Sequence, residues 1–504
     1  MRPQAEGGWR SARWRGGNAA PALGDALPPL PPITSPPEPS PVPPAAGTWR
    51  GRWRSRQGEA TPAQAGGTAG WFGAFPRIED AFKWPWQGVD WSLGYVAFLL
   101  YIFVVTSYLV NLGQVAIVAA VIGVTFSKTE KWKFPLPMVL MALFLVIVAI
   151  GFRASPFGQK DWKPFEDMVK VFVITLVSLA VLTNRARIRF YLFYYLALYA
   201  LFPVRGGIFN WFVYRAATQG RVAWNHAFEN PNDMAALLML PLGLCVALVY
   251  TERLKLIRNA ALIGIAAIPM IIFMTQSRGA IVAIGATVLV YFLVQGKGRA
   301  KTIFSLLAVA VVVGVFAPSG VWERLGSLKA ATEAGDLTEA NDSRSAEQRF
   351  EIWKVAWQVH EEWPIIGVGW GSYPYAHAFY SRRQAFKRIA GGARDAHNTY
   401  LTVLGETGYL GFFLWTAMIG AVVVPGIAAM RRVRSYSEEY ANQLKMLLLA
   451  LLCFGLAGMF GTFAHVTFTY THLALILAAA QVATKEVDDY EQGRAGPRIR
   501  AARA

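Results

Sequence analysis

Charge is scarce in this chain. Only 16% of its 504 residues are Asp, Glu, Lys or Arg, while 54% are hydrophobic, against about 25% charged residues in an ordinary soluble domain. That balance excludes a soluble globular protein. Cysteine is scarcer still: Cys245 and Cys453 both fall inside apolar runs, which excludes a disulfide framework and reads as two small buried hydrophobes. There is no P-loop and no GxGxxG after a strand, so a nucleotide is not the evident energy source. An outward-facing DxD and an HExxH are also missing, and Asp488–Asp489 lies in the predicted cytoplasmic tail. Metal-dependent catalysis therefore has no visible ligand set, and no cofactor is expected. The net charge of +18 is not matched by any RNP, zinc-finger or basic-zipper pattern, so no nucleic-acid partner is expected.

What the chain does have is long apolar runs. A membrane span needs about 20 such residues, and candidates recur at 91–110, 112–127, 134–151, 167–183, 189–204, 233–250, 259–275, 279–295, 302–318, 399–428, 441–461 and 464–483. The fold class is therefore all-α and polytopic, with about 12 transmembrane helices. The connections KTEKWK, NRARIR, TERLKLIRN, QGKGRAK and MRRVR each carry three Lys or Arg, which predicts that they and both termini are cytoplasmic. Residues 1–75, rich in Pro and Arg, cannot build a core. They read as a disordered cytoplasmic tail attracted to anionic lipid, or as a start called too early. The remaining expected divisions are helices one to nine over 76–318, a loop over 319–398, helices ten to twelve over 399–484 and a tail over 485–504.

The 319–398 loop is predicted to be periplasmic and functional, because loops of this length are seldom idle. Within it EQRFEIWKVAWQVHEEW repeats Phe350, Trp353, Ala356, Trp357 and Val359 near helical spacing, predicting an amphipathic helix that lies on the membrane or caps the bundle. The glycines of PIIGVGWGSYPY then allow a tight irregular path. At DAHNTYLTVLGETGYLGF, the residues Asn398, Thr402, Glu406 and Tyr409 fall on one helical face, with His397 at its outer end. An acid inside a span is costly and marks either a function or a buried partner. Arg278, in TQSRGA, and Arg349 can grip a phosphate bidentately; the plain alternative for Arg278 is snorkelling to headgroups. Arg205 and Arg221 are supporting candidates from a predicted outer loop. SRRQAFKRIAGGAR adds five cations just before His397, a solvated face that also attracts anionic lipid or glycan.

Three segments, SRGAIVAIGATV, QRFEIWKVAWQVHEEWPIIGVGWGSY and AHNTYLTVLGETGYLGF, with NPNDMAALLMLPL upstream, together resemble the O-antigen ligase and polymerase superfamily of bacterial envelope glycosyltransferases. The resemblance spans about 230–412. It implies a GT-C-like enzyme of the bacterial inner membrane. Such an enzyme takes a glycan from an undecaprenyl (polyprenyl) diphosphate carrier on the periplasmic side and gives it to lipid A core, a growing glycan or a protein. By the same resemblance the catalytic histidine is His397 and the diphosphate-binding arginines are Arg278 and Arg349. A diphosphate is already a good leaving group, so cations are needed more than a strong acid, and His397 is expected as base or orienter. Asn398 and Glu406 are expected to support it, and Glu406 to hold an arginine. Polymerase, protein O-glycosylation and lipid-linked glycan transport remain the alternatives.

Overall fold

The computed structural model describes residues 84–157, 162–215, 220–294, 341–383 and 385–493, all within the unit 72–504. Every predicted span except 302–318, which lies outside the described residues, coincides with a helix. In chain order these are α1 (Leu93–Ser107), α2 (Gly113–Thr125), α3 (Leu136–Ala154), α4 (Lys163–Val181), α5 (Arg185–Tyr199), α6 (Arg205–Phe212), α7 (Pro231–Thr251), α8 (Lys255–Met274) and α9 (Arg278–Val294). After them come α10 (Asn341–Glu362), α11 (Tyr373–Tyr380), α12 (Thr399–Val433), α13 (Glu438–Ala457) and α14 (Thr467–Glu491). No β-strand occurs among the described residues. Among the described residues, six helices are long and apolar enough to cross a membrane: α3, α5 with α6, α7, α8, α12 and α13. Three more, α1, α2 and α9, are apolar but shorter.

Local chemistry sets the helix starts. Ser92, Asn184, Asn230, Asn398 and Ser437 each cap a helix with a side-chain oxygen, satisfying amides that have no partner within the first turn. Pro231 follows Asn230 at the first helical position, where its missing N–H does no harm. Between α5 and α6 the chain does not leave the helix as expected. Pro203 is absorbed by a π-turn over Ala200–Val204, so the segment predicted as an outer loop begins as a helix.

One end of the bundle is held by ion pairs drawn from the basic connections. Arg187 is buried and lies 2.5 Å from Glu130, Arg189 grips Glu252 at 2.8 and 3.1 Å, and Arg253 meets Glu439. Arg185 pairs with Glu486, and Arg432 with Asp488 and Glu491. Four of the five basic connections therefore share one end, as their alternation predicts, QGKGRAK lying outside the described residues, and a buried charge stays because a partner accompanies it.

The opposite end carries a cap. Ile352, Val355, Ala356 and Val359 of α10 pack with Tyr373, Ala376 and Tyr380 of α11 into a small second core, which also includes Ala390 and Ala396. The amphipathic helix thus caps the bundle. Its buried face differs from the predicted one: Ala356 and Val359 are inside, whereas Phe350 and Trp357 are 58% and 48% exposed. The reason is the second partner: α11 selects the face carrying Ile352 and Val355.

Candidate functional site

The site is organised by a break in α12. Gly408 takes φ 62° and ψ −166° inside the span, and the turn it opens is filled by residues 364–369. Val368 and Gly369 donate their amides to the carbonyls of Gly405 and Glu406, each at 2.9 Å, while Tyr409 and Leu410 donate to Pro364 and Ile365 at 2.7 and 3.3 Å. Non-helical backbone is tolerated at such depth only where protein satisfies it, and this loop does so. Side chains have no room at the joint: a Cβ on Gly367 would stand 2.3 Å from the Glu406 carbonyl carbon, and one on Gly408 2.3 Å from that of Ile365. The polar stripe holds for Asn398, Thr402 and Glu406, all buried, but Tyr409 lies past the break and is exposed, because the break ends the regular helical register.

Glu406 is 1% exposed. Its expected arginine is replaced by other partners: Oε2 lies 3.0 Å from Nε2 of His465, and Oε1 accepts from the Tyr373 amide at 3.3 Å. His465 belongs to the connection between α13 and α14 and packs, tilted by 32°, against Trp370 at 4.0 Å between ring centroids. Trp370 is buried against Phe144 of α3. The loop therefore plugs the bundle with an indole that orients a histidine beside a carboxylate.

His397 stands one residue before the Asn398 cap, in the left-handed region at φ 46°. Such a conformation in a non-glycine residue persists only where its surroundings impose it. Trp353 Nε1 donates to the Ala396 carbonyl at 2.9 Å on one side, and on the other the Thr399 amide donates to the Gly458 carbonyl at 2.7 Å. Asp395 lies within electrostatic reach of His397, Glu406 and His465. Arg349 reaches His397, and Asp233, in the first turn of α7, reaches both Asp395 and Arg349. Burial pushes the His397 imidazole below its usual range, Asp395 opposes this, and Arg349 and Arg394 reinforce it. Burial likewise raises the Asp395 carboxyl, with His397 opposing, although Asp395 keeps an exposed surface. The Tyr373 hydroxyl is buried without a hydrogen-bond partner among the described residues, facing the charges of Asp395 and Glu406.

Of the predicted residues, Arg349 acts on His397, Asn398 follows it as the cap of α12, and Glu406 is linked to His397 through Asp395. Arg278 begins α9 at the same end: a Cβ on Gly279 would meet Phe460, and the adjoining residues Gly458 and Gly461 clasp Thr399. Arg221 is buried and braces that corner, donating to the Thr275 carbonyl and to Asn232 Oδ1, each at 2.7 Å. Arg205 stands apart on the exposed side of α6, over the Phe209 ring. Asp233, Asp395 and His465 were missed. Asp233 and Asp395 sit inside the quoted motifs NPND and DAHN, where a titratable group beside a candidate was the available signal, whereas nothing local marks His465.

Taken together, these features define a polytopic helical membrane protein with a capped polar site at one end of its bundle. Residues 260–416 match the family model described as O-antigen ligase. The matched segment carries Arg278, Arg349, His397, Asn398 and Glu406, and excludes Asp233 and His465. No curated protein matches the chain.

Proposed function

We propose that this chain is an inner-membrane glycosyltransferase that moves a glycan from a polyprenyl diphosphate carrier to an acceptor hydroxyl at the periplasmic face, most simply as an O-antigen ligase. The observation that carries the reading is the electrostatic grouping of His397 with Arg349 of the cap helix and with Asp395, within the segment that matches O-antigen ligase. Arg349 and Arg278 hold the diphosphate and stabilise the charge it gains as the glycosidic bond breaks, without a metal ion. His397 contacts the acceptor hydroxyl as base or orienter in a direct inverting displacement. Asn398 fixes the helix start beneath it, Arg221 braces the Arg278 corner, and Arg205 offers a peripheral cation to the carrier or membrane lipid.

The test uses purified full-length protein, a polyprenyl-diphosphate glycan and candidate acceptors, comparing wild type with His397→Ala. Transfer to lipid A core or protein identifies a ligase, and chain growth on the carrier identifies a polymerase. Undiminished transfer by His397→Ala removes that histidine from the reaction. Carrier movement across a vesicle bilayer with no transfer to any acceptor replaces the reading with transport.

A further inference from the structure

His397 and His465 both border Asp395, but their surroundings differ. At His397 the Asp395 carboxylate favours the charge that an imidazole gains on taking a proton, while burial, Arg349 and Arg394 oppose it. His465 instead has Nε2 3.0 Å from a carboxylate that is itself 1% exposed. Its ring packs against Trp370, and its side chain remains 31% accessible. Asp395 adds a second negative charge from the segment before α12. A carboxylate behind a histidine fixes the ring and stabilises the imidazolium as it forms, which is the arrangement a general base requires. Nε2 faces the Glu406 carboxylate at 3.0 Å as an ion-pair contact, so Nδ1 is the ring nitrogen left for a substrate.

Resting on the glycosyl-transfer reading above, we propose that His465, oriented by Glu406, is the group that takes the acceptor's proton, and that His397 positions the acceptor or donor. The acceptor oxygen forms a bond to the anomeric carbon as the bond from that carbon to the diphosphate oxygen breaks. The electron pair leaves with the diphosphate, and the acceptor proton passes to Nδ1 of His465 and then to solvent. Glu406 is a positioning residue: it acts through His465. The groups facing His465 are Glu406 from α12 and Asp395 from the segment before it, with Trp370 from the plugging loop.

The test compares wild type, His465→Gln, Glu406→Gln and His397→Gln as full-length protein, with a polyprenyl-diphosphate glycan and an acceptor sugar. His465→Gln should lower kcat by about 100-fold or more, the usual contribution of a general base, with donor KM within about threefold. Glu406→Gln should lower kcat with donor KM within about threefold, because the ring loses the carboxylate that orients it. Azide, an anionic acceptor with no proton to lose, should restore turnover to His465→Gln and yield a glycosyl azide. A merely structural histidine would not show this rescue, and a misfolded variant could not. The assignment is overturned if His465→Gln keeps kcat within about threefold, or loses activity without azide rescue while still binding donor. In both cases wild-type transfer stands, so the broader reading survives. If the wild type transfers no glycan, reading and assignment fall together.

Discussion

Replacing Gly408 by alanine tests whether the break in α12 is a built joint. Gly408 holds φ 62° and ψ −166°, a region open essentially to glycine, and forcing another residue there costs on the order of 1–3 kcal/mol. The new Cβ would stand 2.3 Å from the Ile365 carbonyl carbon, so the plugging loop must retreat. Its four backbone hydrogen bonds to α12 each contribute about 0.5–1.5 kcal/mol net. Losing two of them together with the strain gives a cost of about 3 kcal/mol. Gly420 supplies the control, because it lies in the same helix with nothing within 4 Å of its Cβ position; alanine there should raise stability by up to about 1 kcal/mol. Thermal unfolding in detergent, paired with hydrogen exchange at the amides of Val368, Gly369, Tyr409 and Leu410, reads both effects. A Gly408→Ala protein that melts with the wild type and keeps those amides protected would refute the reasoning.

The cap should also be sensitive to acid. His377 is fully buried, with Nδ1 2.8 Å from the Gly392 carbonyl and no partner for Nε2 among the described residues. Burial brings it down to about 4, whereas an unfolded histidine titrates near 6.5. Its contribution is therefore fully present above about pH 6.5 and disappears as pH falls towards 4, a change of up to about 3 kcal/mol. Fluorescence of the cap tryptophans should report this loosening, and His377→Phe should flatten it. Arg221→Ala should lower the melting point far more than Arg205→Ala, since two hydrogen bonds from a buried guanidinium are worth about 1.5–3 kcal/mol each; equal melting points would contradict this. Trp353→Phe keeps the packing but loses the bond to the Ala396 carbonyl, about 1 kcal/mol. It should lower transfer through His397 more than it lowers the melting point, and activity that simply follows stability would argue against a positioning role.

Apolar run length placed the helices and loop charge set their alternation, because each is a local property of the chain. Membrane-length apolar segments have few alternatives to a helix, and Asn230, Asn398 and Ser437 mark their own helix starts. His397, Asn398 and Glu406 were visible for the same reason: they are polar groups at the edge of an apolar run. What touches them was not visible. The break at Gly408 needs a loop 40 residues earlier to fill it, so ETGYLGF reads locally as continuous helix. Glu406 invited an arginine on charge alone, yet the distance is to His465, brought from the far side of α13 by tertiary packing. The buried face of α10 turned away from Phe350 and Trp357 because α11 is its partner. Local sequence determines where helices begin and which polar groups border an apolar run. Only the folded chain decides which buried groups meet, because each meeting depends on contacts remote along the sequence.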